Sequence, residues 1–351
     1  MSNRIVETKT VRTLGAPRVD RNFVINASLL ALLLIAAIVF PYLGVSGFTV
    51  SLVTTILIAA TLASSVNFLA GQGGMVSLGH AGIAAASAYG AGWAARQGFD
   101  PGMQAVVAIL ATLVVTAIYG FLSMRTSGIY FLMVTLAVAM LIYGLAFRWS
   151  SVTNGENGIS GIARPEWMSE WWVFYYFVLA VFVLATLALW VVSNSPFGAS
   201  LRGVRDSESR MLSLGYSVRS YKFGAFMISG TVAGLAGLIA VWHTHFVSPS
   251  TGAVDRSVHL LIMVILGGLG TLLGPLIGAA IVVMVENVLS SHVERWPTVL
   301  GLIFIFVILF ARAGIAGSIR KLITRLRRRN RPPEHRGSPT DTEASVSNHT
   351  A

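Results

Sequence analysis

SPFGASLRGVRDSESRMLSLGYSVRSYK, Ser195 to Lys222, is a polar island in the middle of a chain built mainly of apolar runs. Its ends read as helix signals. The Ser195 hydroxyl can accept from the first free N–H groups, and Pro196 loses nothing at the first helical position because its N–H would be unsatisfied there anyway. Gly215 is a natural stop. Together they predict a helix of about five turns. At about 100° per residue, Leu201, Val204, Met211 and Leu212 fall in one arc, while Arg202, Asp206, Ser209, Arg210 and Ser213 point elsewhere. Glu208 lies inside the apolar arc. A carboxylate there is unfavourable against lipid but sensible in a protein groove that offers a partner, for which Arg205, one turn earlier, is the candidate. The island therefore reads as a protrusion that docks onto protein.

The rest of the chain places that protrusion on a membrane domain. Hydrophobic residues make up 55% of the 351 and charged residues 11%, against about 25% charged in a soluble domain. The fold class is an all-α polytopic integral membrane protein of about eight to ten transmembrane helices. A span needs about 20 mainly apolar residues. Candidates run near 24–43, 48–69, 75–94, 103–123, 128–148, 171–192, 223–243, 257–270, 273–290 and 297–311. Gly, Ser and His dilute the stretch 75–94. The stretch 257–290 allows a second geometry, a re-entrant hairpin broken between Gly267 and Pro275, since discontinuous helices often line transport paths. Three segments result: an N-terminal tail 1–22, a membrane domain 23–311 containing the island 195–222, and a tail 312–351 that is basic at first and expected to be disordered beyond Pro332.

With the amino end placed inside, 20 basic residues fall on that side and five (Arg96, Arg148, Arg164, Arg256 and Arg295) on the other. The positive-inside rule then puts the island and both termini in the cytoplasm. No short apolar core with a small-residue cleavage site begins the chain, so the first span is expected to stay as an anchor. The natural home is a prokaryotic inner membrane.

Several functions are disfavoured. The net charge of +11 concentrates at Arg320, Lys321, Arg325, Arg327, Arg328, Arg329 and Arg331, directly after the last span, where basic clusters meet anionic membrane lipids and not nucleic acid. None of the three lysines, Lys9, Lys222 and Lys321, follows a glycine, so no Walker A loop exists and any ATP must be bound by another chain. There is no cysteine, hence no disulfide and no thiolate metal site. HExxH and GxSxG motifs are absent. His243 and His245 stand at i and i+2, a poor ligand geometry on a helix, and read as surface histidines. The chain is expected to be neither an enzyme nor a metal protein.

Glu208 followed seven residues later by Gly215 resembles the coupling loop of ATP-binding cassette (ABC) importer permeases. The surrounding text resembles the branched-chain amino acid permease family of LivM type. The matches are GQGGMVSLGHAGIAAASAYGAG from Gly71, GIYFLMVTLAVAMLIYGLAFRW from Gly128, TNGENGISGI from Thr153, SPFGASLRGVRDSES, and ISGTVAGLAG from Ile228, in order over roughly Asn67 to Gly278. Where the general loop pattern has two alanines after the glutamate, this chain has Ser209, Arg210 and Met211 and no alanine before Gly215, so the docking contact is expected to differ in detail. The resemblance implies two cytoplasmic ABC ATPase subunits that carry ATP and Mg, and a second, LivH-like permease in a heterodimer. It also implies a periplasmic or lipid-anchored substrate-binding protein, and uptake of branched-chain or other hydrophobic amino acids, with small amides or urea within the family's range. In the island, Leu201, Arg205, Glu208, Met211, Leu212 and Gly215 would couple to the ATPase.

Polar side chains inside a bilayer tend to face a cavity or a partner helix. Asn67, Gln72, Ser77 and His80 either line the translocation path or brace the helices around it, and both readings stand. Asn154, Glu156 and Asn157 form a candidate outer contact for a binding protein, next to tryptophans that also suit an interfacial belt. Gly230 with Gly234, and Gly270 with Gly274 and Gly278, recur every four residues and are expected to share helix faces that allow close packing. The rival class is an ion-gradient-driven carrier, which would bury an acid at mid-membrane. Only Glu286, beside Asn287, is a candidate, and a structural role at the interface competes with it.

Overall fold

The computed structural model describes residues 37–43, 46–289, 296–310 and three further positions, 314, 315 and 317. The tail 1–22, most of the first expected span and nearly all of 312–351 lie outside the described residues. In chain order the main helices are α1 (Gly47–Gly73), α2 (His80–Arg96), α3 (Pro101–Ser123), α4 (Ile129–Arg148), α5 (Trp171–Asn194), α6 (Pro196–Asp206), α7 (Glu208–Ser213), α8 (Val218–Thr244), α9 (Val254–Gly267), α10 (Gly274–Met284) and α11 (Trp296–Phe310).

Helix α3 shows what solvent the chain folds in. The Asp100 carboxylate caps it by accepting from Gly102 N at 3.0 Å. Its buried stripe is Gln104, Ala108, Thr112, Thr116, Tyr119 and Ser123. On the other side Val106, Leu110, Val114, Ile118 and Phe121 are 51–59% exposed. Polar inside and apolar outside is the reverse of a water-soluble helix, and it is satisfied only in hydrocarbon. Helices α4 and α5 are as little buried as α3: in all three only 28% of the most apolar window is buried, against 67% in α1 and α8. Helices α1 and α8 are therefore the inner layer, and α3, α4 and α5 face lipid. These five are, among the described residues, the helices long and apolar enough to cross a membrane.

Small residues set the closeness of the inner layer. Along α8, a Cβ placed on Gly230, Gly234 or Gly237 would stand 2.3 Å from Thr116, 2.1 Å from Thr112 and 2.2 Å from the Ala84 carbonyl oxygen. The gap is closed by a hydrogen bond from Ser87 Oγ to Gly234 O at 2.7 Å. Without a hydrophobic drive between helices in lipid, such close approach supplies much of the cohesion. Gly237→Val must part α2 from α8 and is expected to cost about 3 kcal/mol or more, read as loss of monodisperse protein in mild detergent. Gly144→Val is the control, because a Cβ there meets nothing within 4 Å.

The structure corrects three sequence expectations. The stretch 75–94 is not one helix. Helix α2 starts only at His80 and has 17 residues, about 25 Å at about 1.5 Å per residue, while residues 74–79 are non-helical. Met75, Ser77 and Leu78 in that segment are nonetheless buried. Free peptide N–H groups would be costly there. Leu78 N donates to Thr135 Oγ1 at 3.2 Å and Gly79 N to Ser77 Oγ at 3.1 Å.

The stretch 257–290 takes the hairpin geometry and not two full spans. Helices α9 and α10 have 14 and 11 residues, the second continued by a π turn over Val285–Leu289. They run antiparallel, with Gly278 against Met263 O and Gly267 against Gly274 O.

The glycines 270, 274 and 278 do not share one helix face. Gly270, with φ +73°, sits in the turn between the two limbs. Only Gly274 and Gly278 lie on α10.

At the end of the bundle away from the island, β1 (Ile159–Ser160) pairs antiparallel with β2 (Phe246–Val247). His245 Nδ1 donates to Ile162 O at 2.8 Å. This pins the α4–α5 connection onto the end of α8.

Candidate functional site

The island begins as its sequence indicates: the Ser195 hydroxyl accepts from Gly198 N and Pro196 opens α6. A single five-turn helix does not follow. Ser207 adopts an extended conformation (φ −164°, ψ 102°), ends α6, and accepts from Arg210 N at 3.3 Å to start α7. A serine hydroxyl competes for backbone donors and favours such an N-cap over a helix interior. Helix α7 ends at Ser213 and is capped by Gly215, whose φ is +83°. Gly215 N donates to Leu212 O and Tyr216 N to Met211 O, the paired bonds of a left-handed C-terminal cap.

The break at Ser207 resets the faces. Leu201, Val204 and Met211 are buried. Leu201 joins the apolar cluster that holds Phe68, Leu69, Met75 and Phe226. Val204, Met211 and Val218 form a separate small cluster. Leu212, expected on the buried arc, is instead 59% exposed, as are Leu214 at 65% and Tyr216 at 40%. Arg205 is not the partner of Glu208. It pairs with Asp206 at 3.2 Å, and Glu208 forms its ion pair with Lys222, whose side chain is 5% exposed.

Two arginines fasten the island to the end of α1. Arg202 Nη1 donates to Gln72 Oε1 at 2.8 Å and to Ser193 O at 2.6 Å. Arg205 Nη1 donates to Gly71 O at 2.6 Å, a cation on the negative end of the α1 dipole. The same helix end grips the hairpin turn. Asn67 accepts from Gly270 N at 2.8 Å and donates to Thr271 O at 2.9 Å, and Gly71 abuts Gly270. The last two turns of α1 thus stand between the island and the α9–α10 turn, bonded to both.

Two residues before Asn67, at Ser65, α1 takes part in a second polar junction. His80 is 1% exposed. Its Nε2 is 2.7 Å from Ser229 Oγ, which in turn donates to Ser65 O at 2.7 Å, and its Nδ1 is 3.2 Å from Ser77 Oγ. Because Ser229 gives its proton to Ser65 O, it accepts from Nε2–H, and Ser77 can donate to Nδ1. Every proton is accounted for with a neutral imidazole. The chain of bonds ties α1, α2 and α8 together at one level, beside Phe226, whose ring centroid is 5.8 Å from that of His80.

Of the four proposed path residues, Asn67 therefore holds the hairpin turn, Gln72 holds the island, and Ser77 and His80 form the inter-helix junction. Asn154, Glu156 and Asn157 are exposed on one loop at the opposite end, with Asn154 Nδ2 donating to Gly158 O at 2.8 Å. Glu286 pairs with Arg256 at 3.1 Å, joining the open ends of the hairpin limbs. His243 is not a free surface histidine. Its Nε2 lies 3.2 Å from Thr55 Oγ1 and 3.4 Å from Ser51 Oγ, and its ring stacks on Phe174. Among the described residues no group of three His, Cys, Asp or Glu could hold a metal ion. Sequence reasoning passed over Arg202 and Lys222; the only signal for Lys222 was a lone lysine at the boundary between polar and apolar text.

An inside-out helical bundle with a polar island docked on one end defines a multi-pass membrane protein. The family described as branched-chain amino acid transport system, permease component, matches residues 48–313, and the chain belongs to it. It is 26% identical over 330 residues to the high-affinity branched-chain amino acid transport permease LivM of Escherichia coli K12, covering 85% of this chain and 77% of that protein. It is also 24% identical over 264 residues to the autoinducer 2 import permease LsrC of Salmonella paratyphi B, covering 71% and 74%. A solved ABC transporter of metal-chelate type, in an inward-facing conformation, overlays with a TM-score of 0.45 at 20% identity, over 74% of this chain and 86% of that one.

Proposed function

We propose that this chain is the translocating subunit of an importer for branched-chain or other hydrophobic amino acids, driven by ATPase subunits that dock on the island from the cytoplasm of a prokaryotic cell. The observation that carries the reading is the island itself. It exposes Leu212, Leu214 and Tyr216 on a polar protrusion that is clamped to α1 by Arg202 and Arg205. An exposed apolar group rimmed by polar residues marks a protein contact. A push on it reaches α1 through two charged clamps, and reaches the hairpin turn through Asn67. Closure of the ATPases would tilt this end of α1 and switch the path between outward and inward access.

By family resemblance, a second LivH-like permease completes the pathway and a periplasmic binding protein delivers substrate to the exposed loop at Asn154, Glu156 and Asn157. The ion-driven alternative loses its one candidate acid, because Glu286 is committed to Arg256. The test is uptake of radiolabelled leucine, isoleucine and valine into proteoliposomes holding the purified complex with its binding protein. Uptake that requires internal ATP and survives dissipation of ion gradients is the expected result. Uptake that follows an ion gradient without ATP would refute the reading.

A further inference from the structure

The α3–α4 connection and the island border an open cavity of about 420 Å³, lined by Arg125 and Thr126 from the connection, Glu208 and Leu212 from α7, and Arg219 and Lys222 from α8. Its charge does not balance. Glu208 neutralises Lys222, and among the described residues no carboxylate forms an ion pair with Arg125 or Arg219. Two guanidinium groups remain, each able to give a planar pair of N–H bonds to phosphate.

The cavity also sits where the hydrocarbon-facing surface ends. Phe121, 59% exposed, precedes the connection, and Ile129 and Tyr130, at 64% and 69%, follow it. Arg125 lies 5.8 Å over the Phe121 ring, so this cation is placed between the apolar faces of α3 and α4 and the polar cavity. A ligand that suits all of these features has a phosphate anion at one end and alkyl chains at the other. We propose that the cavity binds the phosphate of an anionic phospholipid from the leaflet on the island side, its chains lying on the exposed faces of α3 and α4. A basic pocket between membrane helices at the bilayer surface is a recognised form of lipid headgroup site. Glu208 and Lys222 line the same cavity, so an occupant bears directly on the ion pair that seats α7. That regulatory consequence rests on the coupling role proposed above; the binding itself does not.

The test is native mass spectrometry of the full chain released from nanodiscs of phosphatidylcholine with and without phosphatidylglycerol, counting retained lipid. Arg125→Gln and Arg219→Gln are each expected to lower phosphatidylglycerol retention about fivefold, and together about thirtyfold, with phosphatidylcholine unaffected. Arg125→Lys with Arg219→Lys keeps the charge and most of the binding. Arg148→Gln, at the far end of α4, changes nothing. Unchanged retention in the double Gln variant overturns the proposal. Inorganic phosphate binding with the same arginine dependence while phosphatidylglycerol does not bind overturns the lipid assignment. So does a double Gln variant that keeps its lipid but loses a protein partner, which would put an acidic segment of that partner in the cavity.

Discussion

Glu208→Lys is expected to cut ATP-driven uptake about thirtyfold at equal membrane abundance, while ATP hydrolysis by the assembled complex continues. Lys222 has a side chain only 5% exposed, and its ion-pair partner Glu208 is 40% exposed. Exposed pairs contribute about 1 kcal/mol or less, and breaking a fully buried pair costs about 3–5 kcal/mol. This half-buried pair falls between them, at about 2 kcal/mol, which corresponds to about thirtyfold in an equilibrium. The loss falls on a six-residue helix held otherwise by Met211 and its small cluster, so α7 detaches while the spans stay folded. Glu208→Gln should have a smaller effect. The charge swap Glu208→Lys with Lys222→Glu should recover most of the uptake, and the double-mutant cycle isolates the pair from the rest of the island. Full uptake in Glu208→Lys would remove the pair from the mechanism.

His80→Ala is expected to weaken the junction of α1, α2 and α8 by about 2–4 kcal/mol. Two hydrogen bonds are lost, at about 1 kcal/mol each in a membrane setting, Ser77 and Ser229 lose a buried partner, and the missing ring leaves a cavity. The expected result is a lower thermal midpoint of the detergent-solubilised chain, together with reduced uptake. His80→Gln, which keeps a donor and an acceptor, should recover part of the stability. If stability returns with His80→Gln while uptake does not, the ring has a pathway role beyond bracing; if both return together, bracing accounts for the effect.

The membrane class was legible because apolar content and periodicity report the solvent of each helix, and α3 carries that record on its two faces. The start and stop of the island were legible for the same local reason: Ser195–Pro196 and Gly215 act within one turn of themselves. The break at Ser207 could have been suspected, since its hydroxyl competes for backbone N–H groups, but helical periodicity alone continued through it. That error carried Leu212 to the wrong face and gave Glu208 the wrong partner. Long-range contacts left no local trace. Nothing in the neighbourhood of Glu208 announces Lys222, and nothing near Gln72 announces Arg202, because these pairs form only when α1, the island and α8 are brought to one end of the bundle. Gly270 misled for a related reason: a four-residue glycine spacing suits a packed helix, but here the first member of the series supplies a positive φ in a turn that rests on Gly71.

The chain has no cysteine, so a cysteine introduced in place of Leu212 is its sole thiol. Cross-linking that variant within native membranes, and identifying the adduct by mass spectrometry, shows what docks on the island. The expected result is an adduct with an ATP-hydrolysing subunit, whose yield changes with ATP and which is absent when the cysteine replaces lipid-facing Leu110. An adduct yield at Leu212 no higher than at Leu110, in membranes where the protein still transports, would contradict the island as the site where the motor docks.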